Sequence, residues 1–150
     1  MGYYVTTPIY YVNAQPHLGH AYTTIAADVL ARHMRQRGSD VFFLTGTDEH
    51  GEPVAHVAER EGVPPQELAD RNHVHFKEMV ERIDASNDFF IRTTDARHEA
   101  FVQQFMQGLH DRGILYEGDY EGWYCPRCAD FKTDQELLEG NLCPIHKIAV

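Results

Sequence analysis

The sequence predicts an α/β fold built on a parallel sheet with helices on both faces, followed by the start of a small, turn-rich second unit. Three observations carry this expectation. Strand-like and helix-like segments alternate over the first two-thirds of the chain, as parallel strands joined by right-handed crossover helices do. The run Val41-Phe42-Phe43-Leu44 is continuously apolar, the pattern of a strand covered on both sides. Beyond about residue 115 the character changes to aromatic and glycine-rich, with Tyr116, Gly118, Tyr120, Gly122 and Trp123 in close succession.

Each element has its own signal. Tyr3-Tyr4-Val5-Thr6-Thr7-Pro8 reads as a strand of β-branched and aromatic residues. Pro8, Asn13 and Pro16 then break the chain into a loop. A helix follows from about Gly19 to Arg37. Ile25, Val29 and His33, with Ala26 and Leu30 beside them, form its apolar stripe, and Gly38 stands where a left-handed stop belongs. After the strand at Val41–Leu44 come a short helix near Pro53–Glu61 and a longer one from Pro65 to about Ile83, with proline well placed in its first turn. Phe89–Thr94 is a third strand, and Phe101, Phe105 and Leu109 space out a further helix. Phe76, Phe101 and Phe105 are assigned to the core, and the acidic stretch at Glu117, Asp119 and Glu121 to a solvated face. The boundary is set so that residues 1–115 form one domain and 116–150 the start of another.

Composition narrows the function. The chain has 150 residues, 43% hydrophobic and 24% charged, enough for one ordinary core. A net charge of −10 argues against broad, non-specific nucleic-acid binding by this stretch, so most basic contacts to any RNA lie elsewhere. No apolar run approaches the roughly 18 residues of a membrane helix, and no basic-then-apolar leader opens the chain; no membrane partner and a cytoplasmic location are expected. The three cysteines all lie between Cys125 and Cys143, which favours reduced thiols on a metal over disulfides.

The cysteines fall into two ligand pairs, Cys125-Pro126-Arg127-Cys128 and Cys143-Pro144-Ile145-His146. Each pair forms a tight turn that presents two ligands to one tetrahedral ion. Three thiolates and one imidazole complete the shell of a zinc ion and leave no open position, so the expected Zn2+, one per chain, is structural. A redox Cys-x-x-Cys reading leaves Cys143 and His146 unexplained. Trp123 and Tyr124 are assigned to packing around this knuckle ahead of stacking on RNA.

Between the first strand and the first helix lies Thr7-Pro8-Ile9-Tyr10-Tyr11-Val12-Asn13-Ala14-Gln15-Pro16-His17-Leu18-Gly19-His20. That junction is a ligand site in open α/β sheets, and the helix start beyond it offers free N–H groups to phosphate. His17 and His20, three apart, share one helix face and can both donate to a polyphosphate, while Gly19 lets an adenosine approach the backbone. Taken alone, a His-x-x-His pair is more often a capping feature.

His17-Leu18-Gly19-His20 resembles the His-Ile-Gly-His signature of class I aminoacyl-tRNA synthetases, with a volume-conserving leucine. The preceding Thr7-Pro8-Ile9-Tyr10-Tyr11-Val12-Asn13 and the later Thr45-Gly46-Thr47-Asp48-Glu49-His50-Gly51 resemble the methionine-specific branch of that family, and the resemblance runs the length of the chain. It implies a Rossmann-like catalytic domain, of which residues 1–115 are the first half, split by a zinc-knuckle insertion of the single-knuckle bacterial sort. It implies ATP-dependent activation of L-methionine to methionyl-adenylate and transfer to the initiator and elongator methionine tRNAs, with Mg2+ accompanying ATP. His17 and His20 are then the catalytic residues, and Tyr10, His17, Gly19 and His20 meet ATP. Pro8, Ile9 and Tyr11 line the methionine slot and Asp48 holds the substrate ammonium. Without the resemblance, Tyr11 reads as a core aromatic and Asp48 as a cap for the helix near Glu52. His50 orders the loop. The alternatives are another class I synthetase, or a non-enzymatic zinc module that binds RNA or protein. The family's second ATP signature (Lys-Met-Ser-Lys-Ser) does not occur, so the chain is expected to need the remainder of the synthetase as a partner and to be inactive by itself.

Overall fold

A computed structural model describes residues 2–150, which fall into two compact units, one running to Glu99 and the other spanning Ala100–Val150. In the first unit, β1 (Gly2–Thr6), β2 (Tyr10–Tyr11), β3 (Asp40–Asp48) and β4 (Phe89–Arg92) form one sheet in which every pairing is parallel. β3 is its centre. β1 pairs along its first half, from Gly2 opposite Asp40 to Thr6 opposite Leu44. β2 continues the same edge, with Tyr10 opposite Thr47 and Tyr11 opposite Asp48. β1 and β2 are one strand interrupted at Thr7–Ile9, where Pro8 has no N–H to give the ladder. β4 pairs on the other side, Leu44 to Phe89 through Thr47 to Arg92.

Helix α1 (Leu18–Gln36) crosses from the first edge to β3, and its C-cap Arg37 is followed by Gly38 at φ 79°, the left-handed stop that the sequence places there. Its buried face differs from the expected stripe. Thr24, Ala27, Asp28 and Ala31 are buried, while Ile25, Val29 and Leu30 are exposed. The physical reason is closeness: Ala27 and Ala31 are small enough to bring the helix onto Phe43, Val5 and Val41. Asp28 is buried because it is fully used. It accepts from the Ser86 N–H at 2.7 Å, the Ser86 hydroxyl at 2.5 Å and Arg32 Nε at 2.6 Å. Asp88, two residues after Ser86, accepts from Arg35 at 2.7 Å and from the Phe43 N–H at 2.6 Å. The last turns of α1 thus fasten the connection that leads into β4.

That connection contains α2 (Glu52–Glu61) and α3 (Pro65–Arg82). α2 stops at Gly62 in the left-handed region, and α3 opens with proline in its first turn. Val54 and Ala58 of α2 pack with Leu68, Ala69 and Phe76 of α3 against Tyr10 and Val12. Full burial of a side chain the size of Phe76 stabilises the fold by about 2–3 kcal/mol. Asn72 of α3 donates to the Val12 carbonyl at 2.6 Å and ties down the loop between β2 and α1.

α4 (Ala96–Asp111) has no buried residue: Phe101 and Phe105 stack on each other at 6.2 Å but stand exposed, so the expected core role is not met within this chain. In the second unit β5 (Trp123–Cys125) and β6 (Asp130–Lys132) form an antiparallel hairpin. From Ala100 onward the only buried residues are Cys125 and Cys143. Glu117, Asp119 and Glu121 are exposed, as expected of a solvated face.

Two predictions follow from this packing. A Cβ on Gly46 would lie 2.0 Å from the Ile91 carbonyl oxygen and 2.9 Å from its carbon, backbone that cannot step aside. Gly46→Ala should destabilise the protein by about 3 kcal/mol; a change below about 0.5 kcal/mol in urea unfolding would contradict the close approach of β3 and β4. For Asp28, burial favours the neutral acid, but hydrogen bonds from Ser86 and Arg32 outweigh it and hold the carboxyl below its usual range. A depressed folded pKa gives stability that is complete above the ordinary value of about 4 and is lost as pH falls through the folded value. The stability gap between the parent and Asp28→Asn should therefore be constant from pH 7 to 5 and shrink below pH 4; a gap unchanged down to pH 3 would refute this.

Candidate active site and metal centre

The loop after β2 ends in a helix start built from two histidines. His17 is the N-cap of α1 with extended backbone, and its Nδ1 accepts from the Gly19 N–H at 3.1 Å. The His17 N–H in turn donates to Nδ1 of His20 at 3.0 Å. This is a capping box with imidazoles in the places usually held by serine and glutamate. The consequence is chemical. Both Nδ1 atoms are acceptors, so each neutral ring carries its proton on Nε2. The rings stack with centroids 3.8 Å apart, 23° from parallel. Burial first, and the neighbouring His17 second, lower the pKa of His20 and favour its neutral form.

His20 is held from behind. The Tyr10 ring lies 4.7 Å from it and the Phe76 ring meets it edge-on at 5.2 Å. The hydroxyls of Tyr10 and Thr24 meet at 2.9 Å, and both lie within hydrogen-bond reach of the His20 carbonyl, at 3.2 and 2.9 Å. Tyr10 is thus buried with its hydroxyl engaged inside α1. Gly19 is exposed, and a Cβ there would come within 3.0 Å of the His17 ring, so glycine lets His17 fold over its own helix start.

The pair borders a cleft of about 260 Å3 that Ile9, Tyr10, Tyr11, Asn13, His17 and His20 line together with Ala14 and Gln15. Ile9 and Tyr11 therefore share a cavity with both histidines. Pro8 is exposed beside them and outside that lining. Asp48 is the last residue of β3, opposite Tyr11. It does not cap α2, whose N-cap is Gly51 at φ 107°. Its carboxyl is half-buried, and burial raises its pKa, partly offset by His50. His50 itself lies 3.5 Å from Glu99.

One group at this strand end was not singled out in the sequence. Glu49 has a wholly buried side chain that accepts from Arg92 Nε at 2.8 and 3.0 Å and from Arg92 Nη2 at 2.7 Å. The Thr47 and Thr94 hydroxyls complete its shell. Burial opposes its charge, and these donors, led by Arg92, more than offset that and hold its pKa low. The only signal in the sequence was an arginine at the end of one strand and a glutamate just past another. Without a register, nothing there said that they meet.

The second unit gathers Cys125, Cys128, Cys143 and His146, with all four ligand atoms within 4.8 Å of one another. Cys128 Sγ lies 3.6 Å from Cys143 Sγ and 3.2 Å from His146 Nδ1, and Cys125 Sγ lies 3.7 Å from that nitrogen. Bonds of about 2.3 Å to a tetrahedral ion separate its ligands by about 3.7 Å, so the donor set fits a metal. Each turn closes on a left-handed residue directly after its second ligand, Ala129 at φ 51° and Lys147 at φ 53°. The Cys128 N–H returns to the Cys125 carbonyl at 3.1 Å and the Lys147 N–H to the Cys143 carbonyl at 2.8 Å. Trp123 turns its indole N–H to Asp134 at 2.7 Å. The three thiols are free of disulfides, and with two of them as the unit's only buried residues, a bound ion would serve as its core.

Comparison with known proteins agrees with this geometry. The family profile of class I tRNA synthetases (M) matches residues 3–149. The methionine–tRNA ligase of Streptomyces coelicolor is 54% identical over 153 residues, covering 97% of this chain and 28% of that protein. The methionine–tRNA ligase of Thermosynechococcus vestitus is 49% identical over 142 residues, covering 95% and 27%. A solved structure of Mycobacterium tuberculosis methionyl-tRNA synthetase in complex with methionyl-adenylate superposes with a TM-score of 0.89 at 44% identity, over 99% of this chain and 30% of that one. The chain thus spans somewhat under a third of the length of the relatives it matches, and within that span it belongs to the class I tRNA synthetases of the methionyl type.

Proposed function

We propose that this chain is the ATP- and methionine-binding part of a methionine–tRNA ligase, which joins L-methionine to ATP as methionyl-adenylate and then passes the methionyl group to methionine tRNAs, initiator and elongator. The observation that carries the reading is the stacked pair of imidazoles at the start of α1, with both Nδ1 atoms occupied and both Nε2–H donors free for phosphate. A methionine carboxylate oxygen attacks the α-phosphorus, the bond to the β-phosphate breaks and pyrophosphate leaves. No protein nucleophile is needed. Charge gathers on the phosphate oxygens, and His17 and His20 stabilise it with donors placed in advance, assisted by the amino end of α1. Gly19 leaves room for the adenosine. Tyr10 acts on ATP through its packing on His20. ATP arrives with Mg2+, which neutralises its phosphates.

Ile9, Tyr11 and Pro8 form the slot for the thioether, a soft group that suits apolar and aromatic walls. Asp48 meets the ammonium, and its partial burial strengthens that pairing. Cys125, Cys128, Cys143 and His146 hold a structural Zn2+, favoured over other ions by three thiolates with one imidazole in a closed tetrahedron. We place the functional boundary at 115/116, since α4 ends at Asp111 and Gly113 at φ 69° closes the chain before the aromatic stretch. Residues 1–115 then form half of the catalytic domain and 116–150 begin the insertion, with the remainder of the synthetase as partner. Among the described residues no helix is long and apolar enough to cross a membrane, and three free thiols suit the reducing cytoplasm.

The full-length protein should exchange pyrophosphate into ATP only when methionine is present, and His17→Ala or His20→Ala should each lower kcat by about 100-fold, the scale of losing one positioned donor. Exchange driven equally by leucine or valine, or unaffected by both substitutions, would refute the reading. Elemental analysis should find one zinc per chain, lost in Cys143→Ser together with protease resistance of residues 116–150. A folded, reduced protein without zinc would sink the metal assignment and leave the activation chemistry standing.

A further inference from the structure

Glu49 is a buried carboxylate one residue from Asp48, and the activation chemistry above gives it no task. Its three contacts from Arg92 make a planar fork on a planar acceptor, the geometry in which arginine pairs best. Arg92 is there because β3 and β4 run in register, with Thr47 opposite Arg92. The Glu49 N–H donates to the Thr93 hydroxyl at 2.9 Å, so main chain and side chain of this residue are both pinned to the end of β4. Arg92 also reaches Asp70 of α3 at 2.6 Å, and α3 is the helix whose Phe76 backs His20.

We propose that Arg92 is a positioning residue for the substrate ammonium: by pairing with Glu49 it cancels the buried charge next to Asp48 and fixes the end of β3, so that Asp48 alone presents a free carboxylate to methionine. The inference rests on the methionine-activating reading of the site. Its logic is that of two neighbouring carboxylates. With Arg92 in place, Glu49 is charged and spent. Without it, Glu49 keeps an unpaired buried charge within electrostatic reach of Asp48, and one of the two takes up a proton more readily. The groups that act on Asp48 are Glu49, His50 and His98, and of these Glu49 alone opposes its ionisation. His98 is turned to the Thr93 carbonyl at 3.0 Å and His50 to Glu99 at 3.5 Å, so neither histidine is placed to take over from Arg92 as the partner of Glu49.

The test uses the full-length protein in methionine-dependent pyrophosphate exchange between pH 5 and 8.5. In Arg92→Gln the KM for methionine should rise by about tenfold at pH 5 relative to pH 8, the size expected of a carboxylate about nine-tenths protonated at the lower pH and ionised at the higher, while the parent changes much less. KM for ATP should change by less than about twofold, since the histidine pair is untouched. Arg92→Lys should restore most of the methionine affinity. The double variant Glu49→Gln with Arg92→Gln, which leaves no uncompensated carboxylate, should bring the KM for methionine and its pH profile back toward the parent. That last variant also decides the matter where Arg92→Gln alone fails to fold. A double variant no better than the single one, or an Arg92→Gln enzyme with unchanged KM for methionine across the pH range, would overturn the proposal. Absence of methionine-dependent exchange in the unsubstituted protein would instead overturn the underlying reading, and this one with it.

Discussion

The carboxyl end of β3 is where the demands on this fold converge. Gly46 must lack a side chain, because the Ile91 carbonyl occupies the space where a Cβ would go. That contact draws β4 close enough for Arg92 to close on Glu49, while on the opposite edge Tyr11 pairs with Asp48. The strand is polar at the point where it is most buried. Thr45 bonds Thr7 at 2.7 Å, and Thr47 donates to Glu49 at 2.6 Å. Buried polar groups are tolerable only when each is partnered, and among the described residues no buried side-chain polar atom lacks one. The result is a rigid rim that holds a charge where a ligand can reach it.

The helix start obeys the same economy of groups. The free N–H donors at the start of a helix must find acceptors, and here histidine rings supply them. Capping therefore does two jobs: it satisfies the backbone, and it fixes the tautomer that points Nε2–H outward. A serine and glutamate box would cap α1 as well, but it would offer phosphate no imidazole donors. Tyr10, Thr24 and Phe76 hold His20 from the core side, so the placement of the donors is set by packing rather than by the ligand.

Much of this was legible in the sequence. Element order, the left-handed stop at Gly38, proline opening α3 and the pairing of Cys125 and Cys128 with Cys143 and His146 all follow from local rules that a single chain displays. What failed did so for definite reasons. The apolar run Val41–Leu44 marks only four residues of β3, which is nine long, because its second half is built of threonine, glycine and aspartate whose burial depends on hydrogen bonds to other strands. Asp48, which reads as a cap for α2 only when the resemblance is set aside, ends this strand instead. The stripe on α1 was chosen for hydrophobicity, yet the face that packs is the one small enough to approach the sheet, with Asp28 buried through Ser86 and Arg32. Phe101 and Phe105 were assigned to a core that residues 2–150 do not supply. The Glu49–Arg92 pair depended on strand register, which no spacing within one strand reveals.

On the proposed reading, the cleft before His17 and His20 selects methionyl-adenylate. The direct test is calorimetric titration of the full-length protein with a non-hydrolysable methionyl-adenylate analogue, and with the leucyl analogue under the same conditions. The account predicts one site per chain and tighter binding of the methionyl compound by about tenfold or more, the scale on which a shaped apolar pocket separates similar side chains. Equal affinity for the two, or no binding of either, would contradict it.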